Sequence, residues 1–345
     1  MTVGVFAAAT GLGSWPGRNP RGAAEIVVGE LGALPHLVEL PARGVGADLI
    51  GRAAALLIDI ALDTTVRGYR VGAGAGAVTR RAAGLLREDL DALEEAFENA
   101  GLRGTGHPVK VQAPGPITLA AELELRNGHR AVTDPGAVRE LAASLAEGVG
   151  AHVAALARRL DAPVVVQFDE PALPAALAGR VPGVTALSPV DPIDEEVALR
   201  ALDGCVAAAG VEAALHCCAP GVPWALLQRS SIGAVAVDPA VLGRADDEGI
   251  ATLLEAGRTV QLGVVPAVEP ARPPGVAELA AVAAGLVDRI GLARSMLADR
   301  VGITPACGLA GATASWARTA IALAGRTAAA LAEDPEAVRG DNLHR

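Results

Sequence analysis

What most constrains this chain is an alternation that recurs along its whole length. Short apolar runs, most of them rich in Val, alternate with longer Ala- and Leu-rich segments of helical period. Eight such runs stand out, at residues 5–12, 36–40, 109–113, 164–168, 213–216, 232–237, 259–265 and 301–303. A strand buried on both faces reads as a nearly unbroken apolar run, because helices cover both sides of a parallel sheet. The clearest helical patterns lie between the runs, at 80–100, 135–159, 194–209, 276–298 and 310–332. Asp134-Pro135 and Asp238-Pro239 place a capping side chain before a proline at the first helical position. Strands joined by helical crossovers predict one closed parallel (β/α)8 barrel, an α/β fold, with an open doubly wound sheet as the alternative. No linker divides the chain, so residues 1–345 read as one domain. Residues 71–77 are rich in Gly and Ala and read as a loop between helices. Residues 266–275 are Pro-rich and read as a stiff loop after a strand.

Composition excludes several classes of function. With 51% apolar and only 2% aromatic residues, the core is built from Ala, Val, Leu and Ile. A net charge of −10 argues against a general nucleic-acid binder, which needs a basic face for phosphates. There is no apolar run long enough to span a membrane. The apolar start has no basic leader and reads as a first strand, so a cytoplasmic protein is expected. The four cysteines, Cys205, Cys217, Cys218 and Cys307, are too few for a disulfide framework in a chain of this length and read as reduced thiols.

The chemically distinctive residues fall just after the apolar runs: Ser14, Glu39, Asp169, His216, Cys218, Asp238 and Cys307. In a barrel all these positions lie on the C-terminal rim, where active sites are built. In His216-Cys217-Cys218 the outer two residues point the same way at a strand end, since side chains alternate with period two. Imidazole and thiolate together suit zinc. Cys307, followed by Gly308, reads by itself as a small buried residue, but barrel closure carries it to the same rim. Asp238 reads as a helix cap before Pro239, as a fourth ligand, or as a carboxylate supporting a ligand. Asp169-Glu170-Pro171 puts two carboxylates side by side, costly to bury unless they bind something. Gly11-Leu12-Gly13-Ser14 and Gly115-Pro116-Ile117-Thr118 match neither a P-loop nor a dinucleotide fingerprint. His36, His107, His129, His152 and His344 have no ligand-like spacing and read as surface or packing residues.

Taken in order, the motifs resemble the catalytic barrel of cobalamin-independent methionine synthases. The similar segments are Thr10-Gly11-Leu12-Gly13-Ser14-Trp15-Pro16, Ala113-Pro114-Gly115-Pro116-Ile117-Thr118, Gln167-Phe168-Asp169-Glu170-Pro171-Ala172-Leu173, His216-Cys217-Cys218 and Pro305-Ala306-Cys307-Gly308-Leu309. The resemblance is to the C-terminal half of the full-length enzyme, so a short single-barrel form is expected. It implies a zinc ion and methyl transfer to homocysteine, with His216, Cys218 and Cys307 as ligands. The family's fourth ligand is a glutamate, and Asp238, one methylene shorter, stands in its place. Asp169 and Glu39 would take the substrate amino group and Ser14 its carboxylate. The family's proton-donating histidine after the seventh strand is missing, and Glu269 is the acid nearest that position. Full-length relatives use methyl-tetrahydrofolate. Without that histidine, the expected donor is a methylated corrinoid such as methylcobalamin or a corrinoid protein, with the folate as the other choice. Methylation of another thiol and a non-catalytic zinc-binding barrel are the remaining alternatives.

Overall fold

The structure is a computed structural model, and it describes residues 4–74, 76–184 and 190–338. Among the described residues, nine strands follow in chain order. They are β1 (Leu62–Thr65), β2 (Gly68–Val71), β3 (Val109–Pro114), β4 (Leu123–Glu124), β5 (Val164–Asp169), β6 (Ala213–Cys217), β7 (Ala234–Val237), β8 (Thr259–Val265) and β9 (Val301–Pro305). The helices are α1 (Pro20–Glu30), α2 (Leu49–Ala53), α3 (Ala77–Asn99), α4 (Pro116–Glu122), α5 (Pro135–Leu160) and α6 (Leu173–Leu177). They continue with α7 (Glu195–Ala209), α8 (Trp224–Arg229), α9 (Asp247–Glu255), α10 (Val276–Arg289), α11 (Met296–Asp299) and α12 (Ala314–Glu333).

β3, β5, β6, β7, β8 and β9 form a curled parallel sheet of six strands in that order. All six residues of β5, Val-Val-Val-Gln-Phe-Asp, are buried. Val164, Val166 and Phe168 join the main apolar core. Val165 packs with Phe6, Leu34, Ala214 and Ala234 in a second, small cluster. Gln167 and Asp169 share the face of Val165, because side chains alternate across the sheet. At the level of Val165 the inner face also carries the buried Lys110, and it is polar toward the C-terminal strand ends. The covering helices follow from ordinary signals. In α5, for example, Asp134 caps the first turn by accepting from Gly136 N at 2.7 Å. The helix then buries Leu141, Leu145, Val149, Val153, Leu156 and Leu160 at helical spacing. Among the described residues, no helix is long and apolar enough to cross a membrane.

Two expected strands do not form. Residues 5–12 begin as a 3-10 turn, Val5–Ala7, and then run irregularly through the glycines to Gly13, whose φ is +107°. Residues 36–40 make isolated bridges only. Ser14 bridges Glu39, His36 bridges Lys110, and Thr10 N donates to Ile303 O at 3.1 Å. These bonds lie between the two outer strands, β9 and β3. The helix expected over 276–298 breaks at Gly291, which adopts φ +75°, leaving α10 and α11. In the stretch read as a loop between helices, Val71 ends β2 and Ala77 begins α3, so it follows a strand rather than a helix. β1 and β2 form an antiparallel hairpin, which β4 extends in parallel.

Candidate metal centre

The C-terminal ends of β5 and β6 are in register, with Asp169 beside His216. The His216 ring is held at Nδ1, which lies 2.7 Å from Asp169 Oδ1. A ring that donates from Nδ1 to a carboxylate leaves Nε2 as a bare electron pair, the tautomer a metal needs. His216 Nε2 is buried and has no hydrogen-bond partner. Cys218 follows β6 and Cys307 follows β9, and their sulfurs stand 3.4 Å apart. One ligand atom from each of His216, Cys218 and Cys307 lies within 4.8 Å of the others. Two sulfurs bound at about 2.3 Å on a tetrahedral zinc would be roughly 3.8 Å apart. The pair therefore needs to part only slightly, and the donor set fits zinc.

The sulfurs differ in acidity. The hydrogen bond between them pulls Cys307 down to about 6, with burial opposing and the nearby His216 assisting. The same bond, with burial added, pushes Cys218 up. Cys217, between the ligands in sequence, faces the other way into the core and is pushed up to about 11 by burial.

Asp169 is held from below by a chain of hydrogen bonds. Gln167 Nε2 donates to Asp169 Oδ1 at 2.8 Å. Lys110 Nζ donates to Gln167 Oε1 and, at 2.6 Å, to Gly11 O. Lys110 is fully buried, and burial lowers it to about 7 against the attraction of Asp169 and Glu39. Its charge also bears on His36, which burial and then Lys110 push down to about 3. The histidines of this region thus include a deeply packed one, while His344 lies outside the described residues.

Ser14 and Glu39 meet as bridge partners at the same rim. Glu39 is raised to about 7, first by burial, then with Arg52 pulling it down and Asp169 pushing it up. Arg52 Nε lies 3.3 Å from Glu39 Oε1, and Arg52 is itself held by the fully buried Asp89. Ser14 O accepts from Leu309 N at 2.9 Å. A Cβ on Gly308 would strike the Ser14 hydroxyl, so this glycine lets the Cys307 loop close over Ser14.

The second carboxylate of the Asp169-Glu170 pair serves the scaffold. Glu170 accepts from Ile117 N at 2.9 Å, and from Thr118 N and Thr118 Oγ1 at 2.7 Å each. It caps α4 from the neighbouring loop. A Cβ on Gly115 would strike the Glu170 side chain. Two of the sequence motifs are therefore halves of one joint.

Two expected site residues stand apart from this cluster. Asp238 Oδ1 accepts from Ala240 N at 2.9 Å and caps the turn Pro239–Val241. It faces a cavity of about 510 Å³ lined also by Leu262, Leu286 and Ala306. Of the three readings of Asp238, the cap is the one formed. Its short side chain is captured by its own turn and does not join the three ligand atoms. Glu269 is exposed and accepts from Thr313 Oγ1 at 3.0 Å, at the head of α12. Lys110, Gln112 and Gln167 were not singled out from the sequence. Their signal is a charge or amide at every second position of a fully buried, Val-rich strand, which can only point inward.

A curled parallel sheet with a His-Cys-Cys cluster at its C-terminal edge defines an α/β protein whose donor set could hold a metal ion. Over residues 6–330 the chain matches the family described as the cobalamin-independent synthase, catalytic domain, and it belongs to that family. Among solved structures it is similar to a B12-independent methionine synthase from Shewanella sp. W3-18-1 in complex with selenomethionine. The identity is 13% and the TM-score 0.59, over 95% of this chain and 98% of that one. At that identity the likeness is one of fold. No curated protein sequence matches the chain.

Proposed function

We propose that this chain transfers a methyl group to the thiol of homocysteine, with zinc held by His216, Cys218 and Cys307. One observation carries the reading. A buried imidazole nitrogen without a partner faces two cysteine sulfurs, and its other nitrogen is fixed by Asp169. Family membership supports methyl transfer to homocysteine as the reaction. When bound, zinc supplies the Lewis acidity that lets a thiol, of pKa about 8.5 in water, ionise at neutral pH.

The chain's own residues do the rest. Asp169 keeps His216 in the binding tautomer. Glu39 and the free face of Asp169 supply negative charge for the substrate ammonium, a charge-assisted contact that also orients it. The Ser14 hydroxyl, beside Gly308, is available to the carboxylate. Glu269, on the loop after β8, is the candidate acid for the departing donor, and its approach to the site would have to come with donor binding. We read the bridged segments around Ser14 and Glu39 as the first two staves of a (β/α)8 barrel, with one domain carrying the reaction.

The family's cobalamin independence favours a methylated folate over the corrinoid expected from the missing histidine. Side-by-side assays with methyl-tetrahydrofolate and methylcobalamin decide it, and turnover with methylcobalamin alone would reverse the assignment of the donor. For the metal site, Cys218→Ser and Cys307→Ser are each expected to lose zinc and homocysteine methylation together. Metal analysis finding one zinc per chain in both variants would remove the ligand assignment.

A further inference from the structure

Several buried polar groups on the inner face of the sheet are bonded to one another, while Gln261 Oε1 and Thr304 Oγ1 each lack a partner. Lys110 bonds Gly11 and Gln167. Gln167 bonds Leu12 O and Asp169. Asp169 bonds His216. Gln112 differs. It is 3% exposed, yet both its Nε2 and its Oε1 lack a hydrogen-bond partner. Leaving a buried amide unsatisfied costs roughly 1–3 kcal/mol per group, so such an amide calls for an explanation.

Its placement supplies one. Val111 and Ala113 of β3 lie in the main apolar core, so Gln112 between them faces inward. It is level with Gln167 on β5, one step below Asp169. Its side chain lies against Gly13, where an added Cβ would sit 3.1 Å from Gln112 Cδ. Gly13 precedes Ser14, and Gly13 O accepts from Glu39 N at 3.0 Å. The amide therefore lies under the backbone that carries Ser14 and beside the strand that carries Asp169. An amino-acid head group placed there would meet two carboxylates, Glu39 and Asp169, suited to its ammonium. For its carboxylate, the Ser14 hydroxyl is a single neutral donor.

We propose that Gln112 is a substrate-recognition residue, its Nε2 donating to the carboxylate of the amino acid whose sulfur goes to the metal. The role rests on the reading of the site as one for homocysteine. It adds a second neutral donor that balances the two acids around the head group, and so selects a complete amino acid over a bare amine.

The test uses the zinc-loaded protein and probes without a free thiol, so that binding does not depend on the metal. L-Methionine carries the whole amino-acid end, and 3-(methylthio)propylamine lacks only the carboxylate. Binding of both is measured by calorimetry to wild type, Gln112→Met and Gln112→Glu, with zinc content as the check on folding. Loss of one hydrogen bond to a charged group is expected to weaken methionine about tenfold or more in Gln112→Met. Gln112→Glu, of equal size but opposite character, is expected to weaken it further. The amine should bind wild type and Gln112→Met within about twofold, and Gln112→Glu no more weakly. Equal methionine affinity in wild type and Gln112→Met would overturn the role, as would a parallel loss for both probes, which would mean that the amide only shapes the interior. Wild type failing to bind methionine would instead sink the homocysteine reading, and this role with it.

Discussion

At the residue scale the site depends on one shared oxygen. Asp169 Oδ1 accepts from both Gln167 Nε2 and His216 Nδ1, leaving its other oxygen for a substrate. Asp169→Asn would replace the acceptor by an amide and weaken its hold on the ring. Zinc affinity is expected to fall about 10- to 100-fold, read by competition with a chromogenic chelator. Glu39 sets a pH dependence. Because burial raises it to about 7, it is largely neutral and protonated below that value and becomes a carboxylate above it. Only the carboxylate holds an ammonium well, so kcat/KM for homocysteine should rise as pH climbs through about 7. In Glu39→Gln this limb should vanish and the lower plateau persist, which a pH profile of both proteins would reveal.

At the scale of elements, glycines without partners of their own decide how closely loops approach. Gly115→Ala would drive a Cβ into Glu170, pushing it off the three donors at the head of α4. Overpacking of this kind costs about 1–3 kcal/mol, so the melting temperature should drop by several degrees. The six strands of the sheet were legible because each is an apolar run bounded by turn residues, and α3, α5 and α7 because each has a long amphipathic stripe. Residues 5–12 misled because apolar composition alone does not make a strand. Phe6 is buried as a plug in a 3-10 turn, and the glycines beyond it bend the chain. The hairpin of β1 and β2 escaped because its residues, Leu-Asp-Thr-Thr and Gly-Tyr-Arg-Val, carry charge and little apolar surface. The candidate ligands His216, Cys218 and Cys307 stood out by their position after strands, and the structure brings them together. Asp238 was readable only as a set of options, since a residue before proline can cap or coordinate, and only local geometry decides. Lys110 and Gln112 passed unnoticed, and Gln167 was quoted only as part of a motif, because polar residues inside a curled sheet obey the same alternation as polar residues facing water.

At the scale of the molecule, the candidate ligands sit on strand ends far apart in sequence, after β6 and after β9, with β7 and β8 between them. An ion there would join the middle of the sheet to its last strand. Anything that binds the folded chain and not the unfolded one stabilises it by mass action, by about 2.7 kcal/mol at a hundred times its dissociation constant. Zinc-loaded protein is therefore expected to melt several degrees above protein stripped by a chelator, with a smaller gap in Cys307→Ser, by differential scanning calorimetry.

The bond from Leu309 N to Ser14 O has a consequence for substrate length. It fastens the loop bearing one sulfur ligand to the loop bearing the serine, so the two cannot drift apart independently. With a head group on Ser14 and an ion on Cys307, as proposed above, the span between them would be a fixed gauge. A side chain one methylene too short falls short of the ion, and one too long must buckle. Chain length is then measured by a single backbone clasp rather than by the walls of a pocket.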